Sequence, residues 1–186
     1  SLKKQDYFVL STHREENVDS EENFNNLLNS LNNIVSKYNK RIIVSTHPRT
    51  LKRLDELKEK KLDNRIEFMK PMSFFDYNKL QINAFCVISD SGTITEESSI
   101  LDFPAITIRQ AHERPEGMDE GTLIMSGLKS ELVMNAIDVV TSHHDYNTRQ
   151  FRLVNDYNVD NFSKKALRII FSYTEYINRT VWHKSK

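Results

Sequence analysis

Apolar and polar positions along this chain follow two rhythms. Short, mainly apolar runs recur at Tyr7-Phe8-Val9-Leu10-Ser11, Arg41-Ile42-Ile43-Val44-Ser45, Ile66-Glu67-Phe68-Met69, Ala84-Phe85-Cys86-Val87-Ile88 and Ala105-Ile106-Thr107-Ile108. Runs this short, rich in β-branched and aromatic residues, read as buried strands. Thr122-Leu123-Ile124-Met125 reads as a sixth. Between them the spacing turns helical. Phe24, Leu27, Leu28, Leu31, Ile34 and Val35 predict an amphipathic helix over 21–38. Thr50 heads a helix through about Lys61 with Leu51, Leu54 and Leu57 inward, and Ser73 caps a short one through Leu80. Ile94–Leu101, Leu132–Thr141 and Phe162 to about Ile177 complete the set. Residues 12–17 and 109–121 read as polar loops.

Strands alternating with helices imply parallel pairing and right-handed crossovers, hence an α/β, open, doubly wound sheet. Ligands of such sheets bind outside the carboxyl ends of the strands. Here those ends carry His13-Arg14-Glu15-Glu16, His47-Pro48-Arg49, Lys70-Pro71-Met72, Ser91-Gly92-Thr93 and Arg109 to Gly117. Cationic and titratable groups therefore collect at one edge. The chain's four glycines are Gly92, Gly117, Gly121 and Gly127, where the backbone needs special angles or a ligand needs room. The edge reads as a nucleotide-phosphate site.

Its centre is the stretch Ser89-Asp90-Ser91-Gly92-Thr93-Ile94-Thr95-Glu96-Glu97. A strand turning through Ser-Gly-Thr into a helix aims free N–H groups and a positive dipole end at an anion. Glu97, a turn further on, is placed to accept from ribose hydroxyls. The bland alternative makes Ser91 and Thr93 helix caps, and Glu96 and Glu97 solvated acids.

The other signals divide in the same way. His13 is a general acid or base or a phosphate donor, or else a loop histidine capping the next helix. Arg14 grips a diphosphate with its planar fork, or pairs with Glu15 or Glu16. His47 and Arg49 flank a proline in a turn. Arg114, in Arg114-Pro115-Glu116-Gly117, projects from the fifth strand toward the Ser91 helix start. His112 reads as a solvated loop residue. His143-His144-Asp145 reads as a solvated turn rather than a metal site, and Phe74, Phe75 and Tyr77 as core aromatics rather than a base-stacking platform.

Composition narrows the classes. Lys plus Arg and Asp plus Glu both number 26, so no broad electrostatic footprint for nucleic acid or an anionic membrane is expected. A single cysteine, Cys86, excludes an intrachain disulfide and a cysteine-based zinc site. No apolar run approaches the roughly 20 residues of a membrane span. The length, 186 residues, suits one well-cored domain. There is no Walker A, Gly-x-Gly-x-x-Gly or Gly-x-Ser-x-Gly pattern.

Three motifs in order carry a family resemblance. They are Ser11-Thr12-His13-Arg14-Glu15-Glu16-Asn17, Ser89 to Glu97, and Glu113-Arg114-Pro115-Glu116-Gly117 with Asp119-Glu120-Gly121-Thr122 nearby. Together they resemble the non-hydrolysing UDP-N-acetylglucosamine 2-epimerases over about Tyr7 to Leu128, the carboxyl-terminal half of such an enzyme. The resemblance implies a Rossmann-like domain of a GT-B fold, with the active site in the cleft between two halves. It implies C2 epimerisation of a UDP-linked N-acetylhexosamine, by elimination of UDP to a 2-acetamidoglycal and re-addition. Neither metal nor other cofactor is implied.

By motif, His13 takes a catalytic role. Arg14, Met72, Ser91, Gly92, Thr93, Glu97 and Arg114 bind UDP and substrate, and His47 marks a possible regulatory site. Glu15 stands where the family has a second arginine, and Thr93 where it has a second glycine; these departures leave the regulatory site open. The run Gly117 to Gly127 resembles the branch forming UDP-N-acetyl-L-fucosamine for capsule or O-antigen. The family's catalytic carboxylates belong to the amino-terminal half. The expected organisation is a UDP-binding domain over 1–160 and a terminal helix over 161–186 that packs toward that half. The full-length protein is expected to be a cytoplasmic homodimer with no nucleic-acid or membrane partner, and this chain alone to bind UDP weakly without epimerising. The competing readings are the donor half of a GT-B glycosyltransferase and a non-catalytic UDP-sugar-binding domain.

Overall fold

A computed structural model describes residues 2–46, 50, 53, 62–111 and 114–184. The helix expected from Thr50 to Lys61 lies outside the described residues, apart from Thr50 and Arg53. So do His47, Arg49, His112 and Glu113.

Six strands form one sheet in the order β3-β2-β1-β4-β5-β6. They are β1 (Tyr7–Thr12), β2 (Arg41–Thr46), β3 (Ile66–Met69), β4 (Cys86–Ser89), β5 (Ala105–Thr107) and β6 (Ile124–Met125), and every pair is parallel. This is a Rossmann-like, doubly wound sheet. The described helices are α1 (Glu15–Val18), α2 (Glu21–Tyr38), α3 (Phe74–Asn83), α4 (Ile94–Leu101), α5 (Pro115–Asp119), α6 (Ser130–His143) and α7 (Phe162–Thr180). Two short helices fall where polar loops were expected. One is α1; the other is α5, which starts on Pro115, a residue whose fixed φ suits the first helical position.

Both sheet faces are covered, so the strands are apolar at successive positions rather than alternating. Phe8, Leu10, Val44, Cys86, Ile88 and Ile106 face one core with Phe24, Leu31 and Ile34 of α2 and Val133 and Ile137 of α6. Tyr7, Val9, Ile43, Val87 and Ala105 face a second core with Ile94 of α4, Phe103 and Leu123. Burying each such large side chain contributes about 1.5–3 kcal/mol relative to exposure. Cys86 is a buried free thiol, and burial pushes its pKa up.

Helix α2 is stopped and started by its sequence. The Ser20 hydroxyl accepts from Asn23 N at 3.3 Å, and Asn39 closes the helix at φ 52°. Asp102 closes α4 in the same left-handed region, at φ 55°. In a chain so sparing with glycine, these short polar residues take the left-handed caps. Among the glycines only Gly121 (φ 70°) and Gly127 (φ 65°) have positive φ. The special-angle expectation therefore does not extend to Gly92 or Gly117.

Register levels the strand ends. Ser11 of β1 pairs with Ser45 of β2 and with Ser89 of β4, and Ser89 pairs with Thr107 of β5. This row of hydroxyls ends the apolar runs and marks the carboxyl edge.

By contact, the chain divides into two compact units, Ser1–Val154 and Asn155–Lys186. The sheet and its helices up to α6 make the first. The second holds a short 3-10 turn at Asn155–Tyr157 and α7. Helix α7 buries none of its residues and carries Leu167, Ile170 and Phe171 exposed beside Lys164, Lys165 and Arg168. Among the described residues, no helix is long and apolar enough to cross a membrane.

Candidate functional site

From β1 the chain steps to β2 and β3 on one side, then returns to β4 on the other. The exits of β1 and β4 therefore flank the topological switch point, where open α/β sheets leave a crevice for a ligand.

Asp90 is the hub of that point. It is the first residue past β4 and is fully buried. Its Oδ2 accepts from Thr12 Oγ1 at 2.7 Å, Arg14 N at 3.0 Å and Asn17 Nδ2 at 3.1 Å. The His13 N–H reaches both carboxylate oxygens at 3.1 Å, and His13 Nδ1 lies 3.3 Å from Oδ1. Burying a carboxylate is costly unless donors surround it, and here they converge from one turn. Arg14 Nε donates to the Asp90 carbonyl at 2.9 Å. The β1–α1 turn is thus strapped to the start of the β4–α4 turn, with His13 and Arg14 beside Ser91. Thr50 Oγ1 donates to Thr12 O at 3.0 Å and ties in the exit of β2.

The β4–α4 turn runs through Ser91, Gly92 and Thr93. Ser91 N donates to Ser89 Oγ at 3.1 Å, and the Ser91 and Thr93 hydroxyls are 3.0 Å apart. Thr93 occupies the cap position but makes no side-chain cap bond, so the capping reading of Thr93 does not hold. Its backbone, at φ −66° and ψ −15°, is ordinary for a β-branched residue, and a second glycine is not needed there. The first-turn N–H groups of a helix have no partner inside it and form an anion-binding end.

The two acids of this turn face different neighbours. Glu97 Oε2 accepts from Gln81 Nε2 of α3 at 2.6 Å. Glu96 Oε1 accepts from Arg114 Nε at 2.5 Å, so Arg114 does reach the start of α4. Ser91, Gly92, Thr107, Arg109 and Arg114 line a shallow recess beside the turn. Thr107 Oγ1, of one lining residue, is buried without a hydrogen-bond partner among the described residues.

On the α3 side, Met72 and Tyr77 pack partly buried against the second core with Ile94. Burial raises the Tyr77 phenol to about 12, although Ser11 hydrogen-bonds it. Phe74 and Phe75 are not core residues: they are 73% and 81% exposed and stack edge to face on each other. They sit in the first turn of α3, just past the carboxyl end of β3, and are exposed there.

The structure thus brings His13, Arg14, Ser91, Gly92, Thr93, Glu97 and Arg114 to the exits of β1, β4 and β5, with Met72 beyond β3. His47 lies outside the described residues. Asp90 and Gln81 are the residues that sequence reasoning did not single out. Asp90 stood inside the central motif, and its position directly after a strand at a polar turn was the available signal. Gln81 had none, because its partner is distant in sequence.

A larger cavity of about 280 Å³ lies at the other edge of the sheet, beside Phe103, Leu123, Val140 and Phe151. His144 is half-buried there and stacks edge to face on Tyr146, so it is not the solvated turn residue expected. Among the described residues, no group of His, Cys, Asp or Glu is arranged to hold a metal.

Comparison with known proteins agrees with this fold. The family model for UDP-N-acetylglucosamine 2-epimerase matches residues 1–171. A UDP-N-acetylglucosamine 2-epimerase of Methanococcus maripaludis is 36% identical over 173 residues, covering 91% of this chain and 45% of that protein. The solved UDP-N-acetylglucosamine 2-epimerase of Rickettsia bellii is 54% identical with a TM-score of 0.83, covering 98% of this chain and 48% of that one. The Methanocaldococcus jannaschii enzyme, solved in complex with UDP-GlcNAc and UDP, is 32% identical with a TM-score of 0.81, covering 91% of this chain and 46% of that one. The chain spans about half the length of these relatives. With most of its length matched by the family model and by a relative of this identity, the chain belongs to the UDP-N-acetylglucosamine 2-epimerase family.

Proposed function

We propose that this chain is the UDP-binding, carboxyl-terminal half of a UDP-N-acetylhexosamine 2-epimerase with GT-B architecture. The observation that carries the reading is the joining of the β1 and β4 exits through Asp90, which sets His13 and Arg14 beside the Ser91–Gly92 helix start. Arg14, Arg114 and the N–H groups of α4 hold the diphosphate. There they stabilise the charge that builds as the C1–O bond breaks. Glu97 takes the ribose hydroxyls, and Met72 borders the nucleoside. His13 serves proton transfer at the sugar end. The similar Methanocaldococcus jannaschii enzyme, solved with UDP-GlcNAc and UDP, supports binding of a UDP-sugar by this fold.

The other half supplies the carboxylates that act at C2, so this chain alone binds UDP weakly and does not epimerise. Helix α7, with its exposed apolar stripe, is the seat for that half, and residues 161–186 are the segment given to it. The run Gly117 to Gly127 supports the branch forming UDP-N-acetyl-L-fucosamine for a capsule or O-antigen.

The test is exchange of the sugar's C2 hydrogen with deuterated solvent, in the chain joined to an epimerase amino-terminal half. An epimerase incorporates deuterium at C2. A glycosyltransferase or a purely binding domain does not, and absence of exchange in a folded, UDP-binding protein overturns the reading.

A further inference from the structure

We infer that Asp90 is the positioning residue for His13, holding the imidazole with a proton on Nδ1 and making Nε2 the nitrogen that takes and gives the proton. Its use in catalysis rests on the function proposed above; the tautomer itself does not.

The two oxygens of Asp90 are loaded unequally. Oδ2 takes the Thr12 hydroxyl, the Arg14 N–H and the Asn17 amide. Oδ1 shares the His13 N–H and faces the His13 ring at 3.3 Å from Nδ1. A carboxylate has only lone pairs to offer. Against it, an unprotonated Nδ1 would be repelled, and an Nδ1–H attracted. The partner of one ring nitrogen decides which nitrogen carries the proton. The rest of the constellation keeps this pairing rigid. Asp90 is fully buried and fixed by the β1–α1 turn, while the His13 side chain is 46% exposed at the sheet edge. The ring thus sets Nδ1 3.3 Å from a buried carboxylate while nearly half of the side chain stays exposed, the kind of preorganisation that proton-transfer sites need.

A purely structural Asp90 is the competing explanation, because its bonds to Thr12, Arg14 and Asn17 would hold the turn without the ring. The two accounts differ in the tautomer. In Asp90→Asn, the single carbonyl oxygen belongs on the crowded Oδ2 side, where the donors are. That puts the NH2 group against the ring, where it donates to Nδ1 and drives the proton to Nε2.

The experiment is two-bond ¹H–¹⁵N correlation of the histidine rings in the ¹⁵N-labelled chain at mildly alkaline pH, with His13 assigned by its loss in His13→Gln. The expected result is a dominant Nδ1–H pattern for His13 in the wild type, inverted toward Nε2–H in Asp90→Asn. Thr12→Val, which removes another donor to Asp90 without touching the ring, keeps the wild-type pattern. A dominant Nε2–H form in the wild type overturns the inference. So does a folded Asp90→Asn that keeps the Nδ1–H form. If Asp90→Asn does not fold, the wild-type pattern decides. No substrate is present, so failure of the epimerase reading and failure of this one are separately visible.

Discussion

Gln81 Nε2 donates to Glu97 Oε2 at 2.6 Å, and this bond fixes the acid of α4 from a fully buried side chain of α3. A hydrogen bond to a charged group is worth about 1.5–3 kcal/mol. Gln81→Met keeps the volume and removes the donor. Glu97 then loses its direction, and UDP affinity falls about tenfold, the equivalent of about 1.4 kcal/mol. Calorimetric titration of wild type and variant checks this. Unchanged affinity in the variant would detach Glu97 from the nucleotide.

Asp90→Ala removes the common acceptor of Thr12, His13, Arg14 and Asn17. Buried donors left unsatisfied cost about 1–3 kcal/mol each, partly recovered where water enters. The expected loss is about 3 kcal/mol, read as a lower urea midpoint at unchanged slope. Asn17→Ala removes one donor and costs about 1 kcal/mol. If both variants melt like the wild type, Asp90 does not hold the turn.

Two glycines separate backbone strain from crowding. Gly121 sits at φ +70°, and a Cβ there would meet the Phe151 ring at 3.1 Å. Gly127 has φ +65° with nothing within 4 Å. Gly127→Ala carries only the left-handed penalty, about 1–2 kcal/mol. Gly121→Ala adds the displacement of Phe151 and destabilises further. Chemical denaturation of the pair measures the difference.

Burial draws His144 below its ordinary 6.5, against the pull of the Asp102 and Asp145 carboxylates. The folded state therefore binds this proton less readily than the unfolded chain. Stability from this group is present above about 6.5 and is lost as the pH falls through the depressed folded value. His144→Gln flattens that part of the profile. Melting temperature followed from neutral to mildly acidic pH shows a smaller fall in the variant than in the wild type.

The fold was readable because both sheet faces are buried, which leaves β1, β2 and β4 as continuous apolar runs, and because α2 repeats its leucines at helical spacing. The carboxyl edge followed from topology, since loops after parallel strands share one side. Contacts between distant residues were not readable. Nothing local to Asp90 tells that it collects donors from residues 12–17, and nothing local to Gln81 points to Glu97. Phe74 and Phe75 misled because aromatic content suggests a core, whereas their place in the first turn of α3 leaves them outside it. Pro115 carried a helix-start signal that the polarity of its loop obscured.

The most direct test of the central claim is calorimetric titration of UDP into this chain, beside Glu97→Ala and Arg114→Ala. The account predicts weak binding in the wild type, lowered about tenfold or more by each substitution, the loss of one charge-assisted contact in each case. Binding of equal strength in all three proteins would contradict it, because the nucleotide would then lie away from the β4–α4 turn.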